Sequence, residues 1–169
     1  MKKLIGSLFA IALLTFMSAA NATPPTRWTV GPLIFVGFYV GNCGDFNILT
    51  DYGVHSDWVL YYDDAGNPIR LTRKVFVENG NAIYYNSSDP SYWLPGGNGE
   101  REVNTFDLVN RTVTTTAASF KVKLPGDGVI FMNAGRIVLD RVTGEVLFQA
   151  GQMDFYDGNF DALCAALRP

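Results

Sequence analysis

The chain has 169 residues, a formal net charge of −3, 17% charged side chains and 48% apolar ones, including 12 Phe, 8 Tyr and 3 Trp. That composition excludes a disordered chain, and the acidic balance without a basic cluster argues against nucleic acid or an anionic membrane as partner. The length suits a single domain with its own core.

The N-terminus reads as an export signal. Lys2 and Lys3 give a positive start, Leu4 to Met17 an apolar run broken by Gly6, Ser7 and Thr15, and Ala20-Asn21-Ala22 a small-x-small cleavage site. The run is short for a membrane span and no second one follows, so residues 1–22 are expected to be a bacterial-type signal peptide. The mature protein is then secreted or periplasmic, with no membrane span. Of the 13 basic residues the signal takes two lysines, leaving 11 against 16 acidic ones.

Residues 23–32 begin Thr23-Pro-Pro-Thr26 and read as an extended leader, because paired prolines cannot enter a helix. One domain follows over 33–169. Leu33 to Val40 is the first expected strand, rich in Ile, Val, Phe and Tyr. Phe46 to Val54 and Asp57 to Tyr62 are the next two, with a bulge or corner expected at Gly53. Asp63-Asp-Ala-Gly-Asn-Pro68 is a turn, and Ile69 to Val77 pairs back across it. Glu78-Asn-Gly-Asn81 is a second turn, leading to a short strand at Ala82 to Asn86. Ser87 to Gly99 carries two prolines and Tyr92-Trp93, and reads as the one long loop. Strands Glu102 to Val109 and Thr112 to Leu124 come next. In the second, Phe120, Val122 and Leu124 alternate with Lys121 and Lys123. Gly128 to Asp140 and Glu145 to Gly151 flank Arg141-Val-Thr-Gly144 as a final hairpin.

The period then changes. Phe160, Leu163, Cys164 and Leu167 stand at i, i+3, i+4 and i+7, one face of a helix, with Asp157 or Asn159 placed to cap it and Arg168 in its last turn. An exported chain with two cysteines most simply joins them, so Cys43 and Cys164 are expected to form a disulfide around nearly the whole mature domain. Two buried thiols or a reactive one are the alternatives.

Eight or nine strands joined mainly by tight turns predict an all-β fold. The expected form is an antiparallel up-and-down barrel with a short C-terminal helix, a β-sandwich being the alternative. A barrel mouth holds a small ligand when side chains do not fill the interior. In Ile69 to Val77, residues 69, 71, 75 and 77 form the apolar face and Arg73 falls on it, where its planar fork suits a ligand carboxylate or phosphate. Tyr92 and Trp93 are the other expected ligand contacts, as a lid or recognition loop. His55 and Asp57, at i and i+2 on one strand face, are the minimum for a general base, but no nucleophile motif accompanies them. No metal-ligand spacing and no cofactor motif is present in the sequence.

The segments Gly41-Asn-Cys-Gly-Asp-Phe46, Gly135-Arg-Ile-Val-Leu-Asp140 and Asp154-Phe155 through Asp161-Ala-Leu-Cys164 resemble a group of uncharacterised exported bacterial proteins. In that group a Cys-Gly-acidic-Phe start accompanies a Leu-Cys-x-x-Leu-type finish. The resemblance implies a scaffold and no activity. The plan also loosely resembles lipocalin-type carriers, without the Gly-x-Trp signature near their first strand. The expected function is therefore a secreted β-barrel that holds a partly apolar small molecule. A filled barrel acting as a protein-interaction module is the alternative, and a barrel isomerase or hydrolase using His55 and Asp57 comes third. Oligomeric state and ligand identity stay open.

Overall fold

The computed structural model describes residues 23–78, 82–97 and 101–169. The expected signal peptide, the centre of the Glu78–Asn81 turn and the end of the Ser87–Gly99 loop lie outside those residues. The rest is nine antiparallel strands and two short helices: β1 Thr26–Asn42, β2 Asn47–Tyr62, β3 Pro68–Val77, β4 Ile83–Asn86, β5 Trp93–Pro95, β6 Arg101–Asp107, β7 Thr112–Leu124, β8 Gly128–Asp140, β9 Val146–Met153, α1 Asp154–Asp157 and α2 Asp161–Ala166.

The strands start and stop where turn chemistry dictates. Asp63 Oδ1 accepts the amides of Ala65 (3.0 Å) and Asn67 (2.8 Å), closing the β2–β3 turn. Asp107 Oδ1 does the same for Val109 and Asn110 before β7, and Asp140 Oδ1 for Val142 and Thr143 before β9. Each carboxylate takes over amides that the ladder has released.

Strand order departs from a simple meander at β3. β2 is one continuous strand whose Ile48–Asp51 segment pairs with β4 and whose Val54–Tyr62 segment pairs with β3. The expected break at Gly53 is thus a change of neighbour, while the bulges lie in β1, between Val30/Leu33, Phe35/Phe38 and Tyr39/Gly41. β3 pairs onward with β6, then β7, β8 and β9 follow in register. β1 begins at Thr26, so most of the expected leader is already strand and pairs with β2. The long loop likewise contains β5, which pairs with β4 and returns to β7 through a single bridge, Gly96 to Val122. Among the described residues β1 has only β2 as ladder partner and β9 only β8, so the sheet does not close strand to strand there.

Both edge strands are apolar and open. Between Arg27 and Asp45 there is no charged residue, yet Ile34 is 78% and Val36 76% exposed; on β9, Val146, Leu147 and Phe148 are about half exposed. A run such as Leu33 to Val40 has the sequence of a strand covered on both faces. Its position at an edge leaves it uncovered along most of its length.

The packed core sits at one end of the sheet. Val40, Phe46, Ile48, Ala82, Tyr84, Val122 and Phe131 meet Leu163 and Cys164 from α2 and Leu167, its C-cap residue. Leu163 and Leu167 are fully buried, each burial contributing about 1.5–3 kcal/mol. Cys43 and Cys164 form a disulfide with Cα atoms 5.5 Å apart, tying α2 to the start of β2 across 121 positions. The helix is capped differently from expectation. Phe160 is the N-cap residue and makes no side-chain cap bond. Asp157 instead accepts a hydrogen bond from Gln149, and Asn159 donates through Nδ2 to Asp154. Arg168 lies past the helix, donating to the Cys43 carbonyl and to Asp45 (both 3.1 Å). No helix among the described residues is long and apolar enough to cross a membrane.

Candidate functional site

Period-two alternation sends Ile48, Thr50, Tyr52, Val54, Ser56 and Trp58 of β2 to the concave face. Register carries that face across the sheet: Trp58 opposes Arg73, which opposes Asn104, which opposes Thr115. One row along, Ser56 opposes Val75, which opposes Glu102. Arg73 is thus on the inner face, as the apolar alternation of its strand predicts.

Above the packed end this face encloses a cavity of about 320 Å³. Its walls are Phe35, Phe38, Tyr52, Val75, Val77 and Phe120, with Arg73 and Glu102 on one side and Thr50 and Ser119 toward the core. The aromatic wall is ordered by ring packing. Phe35 stacks on Tyr52 with centroids 4.9 Å apart, and Phe38 meets both edge-on. Phe120 enters from the irregular stretch between Ser119 and Val122, where its φ is 54°, and stacks on Phe155 at 5.2 Å. A bulky residue rarely adopts that backbone. Here it turns into the cavity a ring that the alternation of Thr115, Ala117 and Ser119, continued past the break in register, would have sent to the other face.

The polar groups are sparse and specific. Arg73 Nε donates to Ser56 Oγ at 3.2 Å, and its guanidinium lies 5.2 Å from the centre of the Trp58 ring. Among the described residues no carboxylate lies within ion-pair distance of it. Glu102 accepts a hydrogen bond from Asn104 Nδ2 at 2.7 Å, and Asn104 Oδ1 accepts one from Thr115 at 2.7 Å. Burial pushes the Tyr52 hydroxyl above the usual phenol range; nearby Arg73 opposes this and Glu102 adds to it. Burial and Glu102 also raise Tyr156, while a hydrogen bond with Thr115 works against them. The hydroxyls of Thr50 and Ser119, 1% and 6% exposed, have no hydrogen-bond partner among the described residues. Such groups lose their hydration without replacement, a cost of about 1–3 kcal/mol each.

The other expected site residues fall elsewhere. Trp93 is 55% exposed and on the opposite face, in a cleft of about 380 Å³ with Asp51, Ile83, Tyr85 and Pro90. Tyr92 is exposed beside it. Arg73 and the Tyr92-Trp93 pair therefore do not share a site. His55 and Asp57 are also outside, and each has another partner. His55 Nδ1 is 3.3 Å from Glu78 and its ring stacks on Phe76, while Asp57 accepts a hydrogen bond from Thr29 at 2.8 Å. No group of three or more His, Cys, Asp or Glu among the described residues is placed to hold a metal.

Tyr52, Glu102, Thr50 and Ser119 were not singled out in the sequence. For β6 the apolar residues Val103 and the polar Glu102 and Asn104 suggest the reverse orientation. The one available signal is Arg73 itself, since an inward guanidinium implies polar company on neighbouring strands.

No family model matches the chain, and neither a curated protein nor a solved structure is significantly similar to it.

Proposed function

We propose that this chain is an exported small-molecule-binding protein, its sheet curling as a barrel-like cup around one partly apolar ligand. Buried, unpartnered Thr50 and Ser119 hydroxyls at the floor of an aromatic-lined cavity carry the reading. A space of that size, mostly apolar with a few convergent polar groups, is the usual form of a ligand pocket. The disulfide suits an oxidising compartment, secreted or periplasmic. Fluorescence of the neutral probe N-phenyl-1-naphthylamine tests the cavity directly. Enhancement by the oxidised protein is expected, and Val75→Trp, which fills the cavity, should remove it. Equal enhancement by both proteins, or none by either, would rule the cavity out as the site.

A second reading, a protein-interaction module, is favoured by the exposed Trp93 over the outer cleft. It predicts a partner whose retention on immobilised protein is lost in Trp93→Ala and kept in Val75→Trp.

A further inference from the structure

We infer that the cavity selects monoanionic carboxylates with an apolar body, Arg73 holding the carboxylate. The inference rests on the cavity reading and names the ligand class for the same site.

The guanidinium is held from two directions. Its Nε is fixed by Ser56 Oγ and its flat face by Trp58, which leaves the edge that carries the two terminal amino groups. That edge makes no ion pair and no hydrogen bond with any described residue. A stacked, oriented guanidinium with a free edge matches the two oxygens of a carboxylate in one plane. Around it, Val75 and Val77 of the same strand and Phe35 and Phe38 of β1 offer apolar surface to the body of a ligand.

Glu102 sets the charge limit. It opposes Val75, next but one to Arg73, and so lies diagonally across the same wall. Its negative field reaches Tyr52, as does the positive field of Arg73. A doubly charged phosphate would gain twice the attraction to Arg73 and to Arg101, which also lines the cavity, but Glu102 would repel it twice as strongly and its desolvation against the apolar walls grows with the square of its charge. A primary amine at Glu102 would meet Arg73 instead, and one Glu102 oxygen is already engaged by Asn104.

Displacement of N-phenyl-1-naphthylamine at pH 7 by octanoic acid, methyl octanoate, octyl phosphate and octylamine tests the inference. The acid should displace the probe about 10- to 100-fold more effectively than the ester, the worth of a charge-assisted pair. It should also outcompete the phosphate and the amine. Arg73→Met should bring acid and ester together while the probe still binds; Arg73→Lys should keep part of the preference. Equal displacement by acid and ester, or tighter binding of amine or phosphate, would overturn the carboxylate assignment and leave the cavity reading standing. Failure of the neutral probe to bind the unmodified protein would remove both.

Discussion

Replacing Cys43 and Cys164 together by Ala removes the disulfide cross-link between α2 and the turn that joins β1 to β2. The bridge spans 121 positions. With the chain-entropy relation, a loop of that size restricts the unfolded chain by about 4.9 kcal/mol at 25 °C. Measured losses for native bridges run from about 2 to 5 kcal/mol, because the reduced unfolded chain keeps some compactness. Cys164 is also in the core beside Leu163 and Leu167, so its sulfur contributes packing that Ala loses. Urea unfolding of oxidised protein, the double Ala variant, and wild-type protein in reductant separates the two effects. Both reduced forms should unfold about 2–5 kcal/mol sooner, with the Ala variant the weaker. A loss below about 1 kcal/mol in both would refute the reasoning, since α2 would then dock without help from the closed loop.

Leu167→Ala, at the fully buried C-cap position of α2, should cost about 2–5 kcal/mol in the same assay. Gly135→Ala should destabilise by about 1–3 kcal/mol, because its Cβ would lie 3.0 Å from Gly151 Cα and against the Ala150 carbonyl; a neutral result would mean β8 and β9 separate freely. Asp63, Asp89, Asp107 and Asp140 are all held below the usual carboxylate range, chiefly by turn hydrogen bonds. Their stabilisation is complete above the ordinary value of 3.8 and lost as pH falls through the lowered values, so unfolding midpoints should drop below about pH 4 and stay flat from pH 5 to 7. Tyr52 and Tyr156 are raised above 10.0, mainly by burial, so their contribution is full below pH 10 and is lost as pH rises through the raised values. Ultraviolet titration should show a late phenolate step that Tyr52→Phe shortens.

How much of this was visible in the residues depends on which contacts decide each feature. The final hairpin, the turn carboxylates and the period-3.6 face of α2 are local, and their residues announce them. The Cys43–Cys164 pair was legible from compartment and count. The β3–β6 pairing was not, because β4 and β5 return to β2 and only tertiary packing chooses that neighbour. The face of Arg73 followed from alternation, but Glu102 and Asn104 did not: a strand whose polar residues point inward looks inverted when read alone. The Phe120 ring was expected inward by simple alternation, yet it arrives there through a positive φ and a break in register. Tyr92 and Trp93 were grouped with Arg73 by chemistry, although β5 places Trp93 on the other side of the sheet.

The bridge also divides the chain topologically. Residues from Cys43 to Cys164 form a closed covalent ring, and the 17-residue β1 lies outside it, fastened by its ladder to β2 and by the packing of Val40 in the core. A protease cut within the ring leaves one molecule until the bridge is reduced; a cut at Asn42 leaves β1 held by non-covalent contacts only. That strand carries Phe35 and Phe38, two of the rings that wall the cavity. The cavity is thus a covalently closed frame with one side that is not part of the ring, and strand exchange between molecules would swap that side while every ring stayed intact.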